Sequence, residues 1–189
     1  MTRVAVVTGA GRGIGAAIAE GAAARGMAVC VNYRADAGAA EKLVERLSPA
    51  GGRAIAVQAD VAIERDVLEM FRRVDAELGP LAALVNNAGI IGGEFRVDEI
   101  TAAALQATLA TNVTGAFLCA REAVRRMSRK HGGTGGAIVN ISSAAARLGG
   151  AGRTVHYAAS KGAINSMTVG LAVELAQEGV RVNAVSPGM

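Results

Sequence analysis

The sequence predicts an α/β fold, a doubly wound parallel sheet with helices on both faces, and three observations carry that reading. Short apolar runs alternate with longer amphipathic segments along the whole chain, the pattern of consecutive strand–helix units. The runs VAVVT, AVCVN, AIAVQ, LAALVN, AIVNI and RVNAV are nearly continuous in hydrophobicity rather than alternating, as strands are when helices cover both faces of their sheet. The first run passes directly into a glycine cluster and then into an alanine-rich stretch, AAIAEGAAA, which suits a strand turning sharply into its crossover helix.

Taken in order, strands are expected near 3–7, 27–32, 53–58, 81–86, 136–141 and 180–185. Helical patterns fill the intervals near 13–25, 37–47, 63–77, 99–130 and 156–178, the fourth of them breaking around Thr111 to Gly115. Right-handed crossovers between these strands give an open sheet of the Rossmann type. No repeat, proline-rich linker or low-complexity block divides the chain, and HGGTGG at 131–136 reads as a surface connection into the fifth strand. One domain spanning 1–189 is expected.

Composition supports a single core. A chain of 189 residues that is 51% hydrophobic can bury one, and with 3% aromatics and 25 glycines that core must be built from small and β-branched side chains with closely approaching backbones. The net charge of +4 comes with a cluster, Arg121, Arg125, Arg126, Arg129 and Lys130, whose helical spacing reads as a solvated face. Without aromatic platforms or a reader motif, nucleic acid is not an expected partner, whereas an anionic small molecule suits the modest positive balance. Cys30 and Cys119 lie in apolar runs and read as buried free thiols, implying neither a disulfide framework nor a metal site. The opening MTRVAVVTGA lacks a charged leader followed by an apolar region. No stretch approaches the roughly 20 apolar residues that span a bilayer. No membrane partner is expected, and a reducing cytoplasm is the expected location.

The glycine cluster runs Thr8-Gly9-Ala10-Gly11-Arg12-Gly13-Ile14-Gly15. Its glycines let the backbone approach a pyrophosphate, and the following helix N-terminus offers free N–H groups and a favourable dipole. A merely tight turn needs fewer glycines. The simple G-x-G-x-x-G fingerprint fails because Ala16 stands at its last glycine, but T-G-x-x-x-G-x-G is met by Thr8, Gly9, Gly13 and Gly15. The second strand ends Val31-Asn32-Tyr33-Arg34, with no acid where an NAD site places one on the ribose; Asp36 comes slightly later. Arg34 and Arg12 are suited to a 2′-phosphate, so NADP(H) is favoured. Were both arginines only solvated loop residues, NAD(H) use would stay open.

Three further motifs lie at strand ends or on the last helix. Gln58-Ala59-Asp60-Val61 closes the third strand and Asn86-Asn87-Ala88-Gly89 the fourth, where small residues let a ligand lie against the backbone. Ile141-Ser142-Ser143-Ala144 closes the fifth, at the carboxyl end where such sheets bind ligands, and a hydroxyl there can steady charge on a substrate oxygen. Tyr157-Ala158-Ala159-Ser160-Lys161 sets a phenol and an ammonium four residues apart, on one face of a helix. A cation beside a phenol stabilises the phenolate and favours proton exchange near neutrality. An isolated Y-x-x-x-K would more often be chance; this one has company.

Together these motifs resemble the short-chain dehydrogenase/reductase family over essentially the whole chain, nearest to its sugar-dehydrogenase-like and 3-oxoacyl-carrier-protein-reductase-like members. The resemblance implies an oxidoreductase that moves a hydride between NADP(H) and a small-molecule carbonyl or alcohol. In it Tyr157 is the acid/base, Lys161 assists it and binds the nicotinamide ribose, Ser143 orients the carbonyl, and Asn112, interrupting a helix, holds a water linking Lys161 to solvent. It further implies that Asp60 bonds the adenine amino group and Val61 lies beside the ring. Thr8, Gly9, Arg12, Gly13, Ile14, Gly15, Asn32, Arg34, Asn87, Ala88, Gly89, Pro187 and Gly188 complete the cofactor set. The Ser–Tyr segment is one residue longer than in many members, which leaves Ser142 and Ser143 as alternatives, with Ser143 preferred. Ile90, Ile91, Gly92, Gly93, Phe95, Arg147, Leu148 and His156 are expected around the substrate mouth. Members usually run on for about another quarter of their length, with a substrate loop and a last strand and helix, and associate as homo-oligomers, dimers or tetramers. A nucleotide-binding regulatory or scaffold protein of the same fold, without chemistry, is the alternative.

Overall fold

The computed structural model describes residues 3–48 and 53–188. Among them the chain forms β1 (Val4–Val7), α1 (Gly13–Ala23), β2 (Ala28–Tyr33), α2 (Ala37–Leu47), β3 (Ala54–Gln58), α3 (Glu64–Glu77), β4 (Leu81–Asn86), α4 (Ala102–Leu109), α5 (Gly115–Met127), β5 (Gly136–Ile141), α6 (Ala145–Leu148), α7 (Val155–Glu174) and β6 (Val180–Val185). All six strands are parallel, in the order β3-β2-β1-β4-β5-β6. The doubly wound sheet is therefore present, and the order reverses between β1 and β4, which opens a crevice at their carboxyl ends.

The core follows from the sequence pattern. One layer packs Val67, Met70, Phe71 and Val74 of α3, Ala116, Cys119, Ala120, Ala123 and Met127 of α5, and Ile164 and Met167 of α7 against Val4, Val6, Cys30, Leu84 and Ile138. The other packs Ala19 of α1 and Ala40, Leu43 and Leu47 of α2 against Val7, Val29, Val31 and Val85. With three helices on one face and two on the other, the outer end of the second face is open. There β6 departs from the expected continuous burial: Val180 and Val182 are buried, whereas Arg181, Asn183 and Val185 face out. Cys30 and Cys119 are buried free thiols.

Three expectations need correction. The fourth helical segment does not break at Thr111 to Gly115. It passes through one π turn, Ala110–Thr114, where a wider hydrogen-bonded loop absorbs the strain of an inserted residue without ending the helix. The resulting continuous helix, Ala102–Met127, is 26 residues long and holds an 18-residue stretch of mean hydropathy 1.2, long and apolar enough by those measures to cross a membrane, contrary to the sequence reading. Its α5 portion is instead a core helix. Finally, the arginines at 121, 125 and 126 do not simply solvate a face. Glu122, 3% exposed, lies among them: its carboxylate accepts from Arg121 Nε at 3.1 Å, Arg125 Nη1 at 3.0 Å and Arg126 Nη1 at 2.9 Å. Arg121 and Arg126 reach on to Glu64 and Asp75 of α3, and Arg126 lies 5.0 Å over the Phe71 ring, so the cluster fastens α5 to α3.

Candidate functional site

The crevice between β1 and β4 has a volume of about 510 Å³ and is lined by Gly9, Gly11–Gly15, Asn32–Asp36, Ala59–Val61 and Asn87–Ile90, among others. Its floor is set by hydrogen bonds between motifs far apart in sequence. The Thr8 hydroxyl, buried, accepts the main-chain N–H groups of Asn87 (2.9 Å) and Ala88 (3.0 Å). Asn87 answers by donating from Nδ2 to Thr8 O (2.8 Å) and Gly9 O (3.1 Å). Asn32 closes the other side: its Oδ1 accepts Gly9 N–H at 3.1 Å, and its Nδ2 donates to Ala59 O at 3.0 Å and Val57 O at 3.3 Å. One asparagine thus registers the glycine turn against the third strand end.

Two glycines explain the turn. A Cβ on Gly15 would lie 2.5 Å from Asn87 Nδ2 and 2.7 Å from Gly9 O, so the helix start can sit against the β4 end only without a side chain. Gly13 adopts φ +57°, with nothing within 4 Å of the place a Cβ would take. That position faces open crevice at the N-terminus of α1, and a phosphate fits the cradle.

Arg12 and Arg34, both exposed, and half-buried Asp60 also line the crevice. Arg34 Nη1 is 4.0 Å from Asp60 Oδ2, a long and largely solvated pair that contributes little and leaves the guanidinium available. Asp60 is held by its own turn, Oδ1 accepting Ala62 N–H at 3.0 Å. Val61 is buried beneath it and touches the start of α5: a Cβ on Gly115 would lie 2.7 Å from Val61 Cγ2. Asp36 caps α2, accepting Ala39 N–H at 2.9 Å.

A second cavity of about 270 Å³ opens beside the first and shares Ile14, Asn87, Gly89 and Ile90 with it. Its wall brings together Ser142, Ser143, Tyr157, Lys161, Pro187 and Gly188. Lys161 is 5% exposed, donates from Nζ to Ile141 O at 2.7 Å and lies 5.7 Å from the Tyr157 ring centroid. Burial pushes its ammonium down to about 8, so near neutrality it holds its proton under strain and near its point of release. The two serines differ. Ser142 is buried and donates to Lys161 O at 3.2 Å, whereas Ser143 Oγ accepts Ala145 N–H at 3.1 Å and, among the described residues, meets no acceptor for its proton. Of the two hydroxyls, Ser143's is thus the one whose proton is unspent among the described residues. Ala144 N–H donates to Pro187 O at 3.0 Å, which ties the Pro187–Gly188 turn to the serine loop.

Asn112 stands behind this wall, on the π turn. Its Oδ1 accepts Ile90 N–H at 2.8 Å, and its Nδ2 donates to Ile90 O at 2.8 Å and Ser160 Oγ at 3.0 Å. A Cβ on Gly89 would lie 3.3 Å from Asn112 Oδ1 and 3.4 Å from Lys161 Nζ, so a bare α-carbon is what lets both groups close on this point.

The expected catalytic and cofactor residues therefore collect around two joined cavities, with Thr8 and Asn112 in supporting positions outside the linings; of those expected around the substrate mouth, Ile90 and Ile91 line the second cavity, whereas Gly92, Gly93, Phe95, Arg147, Leu148 and His156 line neither. Sequence reasoning passed over Ser160, whose hydroxyl links Asn112 to Tyr157 O at 2.7 Å, and Ala39, Ala59 and Thr111 along the crevice. Ser160 was legible in principle, three residues from Tyr157 and hence on the same helix face; the small crevice residues carry no chemical signal.

The short chain dehydrogenase family model matches residues 3–189. An uncharacterized oxidoreductase of Escherichia coli (strain K12), YgfF, is 52% identical over 185 residues, 98% of this chain and 75% of that protein. A 3-oxoacyl-[acyl-carrier-protein] reductase of Synechocystis is 40% identical over 186 residues, 98% of this chain and 73% of that protein. A short chain dehydrogenase from Burkholderia cenocepacia J2315, solved in complex with NADP, superposes with a TM-score of 0.92 at 40% identity, covering 99% of this chain and 74% of that one. With the sheet order, the glycine turn and the Ser–Tyr–Lys cavity already in place, these matches make the chain a member of the short chain dehydrogenase family, an oxidoreductase by descent.

Proposed function

We propose that the chain transfers a hydride between NADP(H) and a small-molecule carbonyl or alcohol, with Tyr157 as acid/base. The observation that carries this reading is the joining of the two cavities at Ile14, Asn87, Gly89 and Ile90. An extended ligand seated on the glycine turn would end beside Tyr157, Lys161 and Ser143. The residues suit a phosphorylated dinucleotide. Gly13 leaves a cradle that a side chain would fill, and Arg12 and Arg34 in the lining suit a 2′-phosphate better than a bare ribose. The NADP held by the Burkholderia relative supports the same preference.

When bound, the nicotinamide supplies or takes the hydride. The chain's own residues do the rest. Ser143 Oγ donates to the carbonyl oxygen and holds it against Tyr157, whose phenol passes the proton. The Lys161 ammonium, anchored on Ile141 O beside the Tyr157 ring, favours the phenolate and offers its own proton as replacement. Asn112 and Ser160 lie behind that pair and fix Ile90 and the Tyr157 turn on the replacement route.

Tyr157→Phe tests the assignment. Oxidation of NADPH with a panel of ketones and aldehydes is expected to fall by ~10²- to 10⁴-fold while NADPH binding, followed by its fluorescence, is retained. Residual turnover within a few-fold of the wild type would remove Tyr157 from the acid/base role. Wild-type protein that binds NADPH yet oxidises it with no carbonyl would favour a silent nucleotide-binding role.

A further inference from the structure

The segment that follows β4 lines the second cavity with Ile90 and Ile91, and beyond its tie to Asn112 it is fastened by residues that the proposed reaction does not use. Ile90 is held on both main-chain groups by Asn112. Ile91 O meets His156 Nε2 at 2.8 Å; a carbonyl only accepts, so the ring carries its proton on Nε2 there. Gly92 and Gly93 then reverse the chain at φ +80° and +107°, with Gly92 against Thr108 and Gly93 under the Phe95 ring, where any Cβ would collide. Phe95 packs at 5.9 Å from the His156 ring, donates its N–H to Arg153 O at 2.7 Å and bridges to Thr154. Glu94 and Arg153 pair across the same junction, Nε to Oε2 at 2.8 Å.

His156 is the hinge-pin of this arrangement. It is 6% exposed, immediately precedes Tyr157 on α7, and is the side chain that ties both the strap's main chain and its Phe95 ring to that helix. We infer that His156 is a positioning residue that couples the Ile90–Phe95 strap to Tyr157, so that the apolar wall of the substrate mouth and the phenol keep a fixed separation. Ile90 and Ile91 line the cavity with Ile14 and Ile141, and among its described lining residues Tyr157 and Lys161 are the ionisable ones. The wall therefore favours the uncharged flank of a carbonyl substrate, and its distance from Tyr157 sets how well that flank is held. This inference rests on the proposed carbonyl chemistry for its kinetic consequence and on geometry alone for the coupling.

The test uses the full chain, with His156→Leu to remove the donor and His156→Gln to return an N–H donor near the Nε2 position. Ethyl 3-oxobutanoate and cyclohexanone serve as probes with NADPH, and amide hydrogen exchange is read at Phe95. For His156→Leu the expected result is KM for the carbonyl raised ~10-fold, kcat changed less than ~3-fold, NADPH affinity unchanged, and Phe95 exchange accelerated at least ~10-fold. His156→Gln should return both KM and exchange to within ~3-fold of wild type. An unchanged KM in His156→Leu, or a Gln variant no better than the Leu variant, overturns the inference. Should the wild type oxidise NADPH with neither probe nor any other carbonyl, the proposed function fails instead. Phe95 exchange then decides the coupling alone, and equal rates in wild type and His156→Leu overturn it.

Discussion

At the scale of single residues, the two glycines of the first turn predict different costs for the same change. Gly15→Ala drives a Cβ to 2.5 Å from Asn87 Nδ2 and 2.7 Å from Gly9 O, so it is expected to destabilise by about 3 kcal/mol or to open the Thr8–Asn87 clasp. Gly13→Ala meets no atom within 4 Å and carries only the strain of φ +57°, about 1 kcal/mol. Urea unfolding separates the two, and equal losses would show that the clash at Gly15 is relieved by movement. Arg34 offers a second contrast. Arg34→Asp places a carboxylate where the 2′-phosphate is proposed to sit, so the ratio of NADPH to NADH affinity should drop at least ~10-fold by fluorescence titration. An unchanged ratio would show that Arg34 does not meet that phosphate. Gly13, Gly15 and Arg34 could be named from the sequence, the glycines because they belong to a cluster that follows the first strand and Arg34 because it stands at the end of the second, where an acid is otherwise expected. The hydrogen bonds of Thr8, Asn32 and Asn87 were not legible, since which strand ends face each other is decided by the sheet order rather than by local spacing.

At the scale of elements, the strands were legible because both faces of a central parallel strand are buried, which writes continuous apolar runs into β1 and β2. The outermost strand was legible in place but not in burial, since only its α7 side is covered. The π turn was legible in place, as an irregularity around Thr111 to Gly115, but not in form, and the four-residue α6 escaped notice altogether. A π turn has no composition of its own, and α6 is embedded in a glycine-bearing loop too short for any period to show. Charge at helical spacing was also misleading: arginines that look solvated can surround one buried carboxylate. Burial by itself would raise the Glu122 carboxyl, but the bonds from Arg126 and Arg121 outweigh it and hold the group below the usual carboxylate range. Glu122→Ala leaves three guanidinium groups without their shared acceptor, one of them on Phe71, and should cost about 3 kcal/mol in urea unfolding. Asp75→Ala removes only a half-exposed outer partner and should cost less than about 1 kcal/mol. Comparable losses would mean that the α3–α5 junction depends on the outer pairs.

At the scale of the whole molecule, buried ionisable groups pull stability in opposite directions with pH. Lys161, brought down to about 8, holds fewer protons in the folded than in the unfolded chain between pH 8 and its ordinary value, so its contribution to stability rises with pH across that window. Cys30 and Cys119, pushed up to about 12 by burial, stay protonated when folded while the unfolded thiols ionise above their ordinary range, so their contribution falls with pH there. Between pH 8 and 10 a Cys30→Ala/Cys119→Ala variant should gain about 3 kcal/mol relative to wild type in urea unfolding, each measured against its own pH 8 value. Parallel curves would show that the thiols titrate alike in both states. A last consequence follows from the clasp between Thr8 and Asn87, which joins residues 79 positions apart and lies where β1 meets β4. The glycine turn is local and can form early, but the crevice needs the loop between those strands to have closed, and closure over such a separation is slow compared with helix formation. The proposed nucleotide site is therefore expected to be a late product of folding: a chain can have its helices, and even its first three strands, before the crevice proposed for a dinucleotide exists.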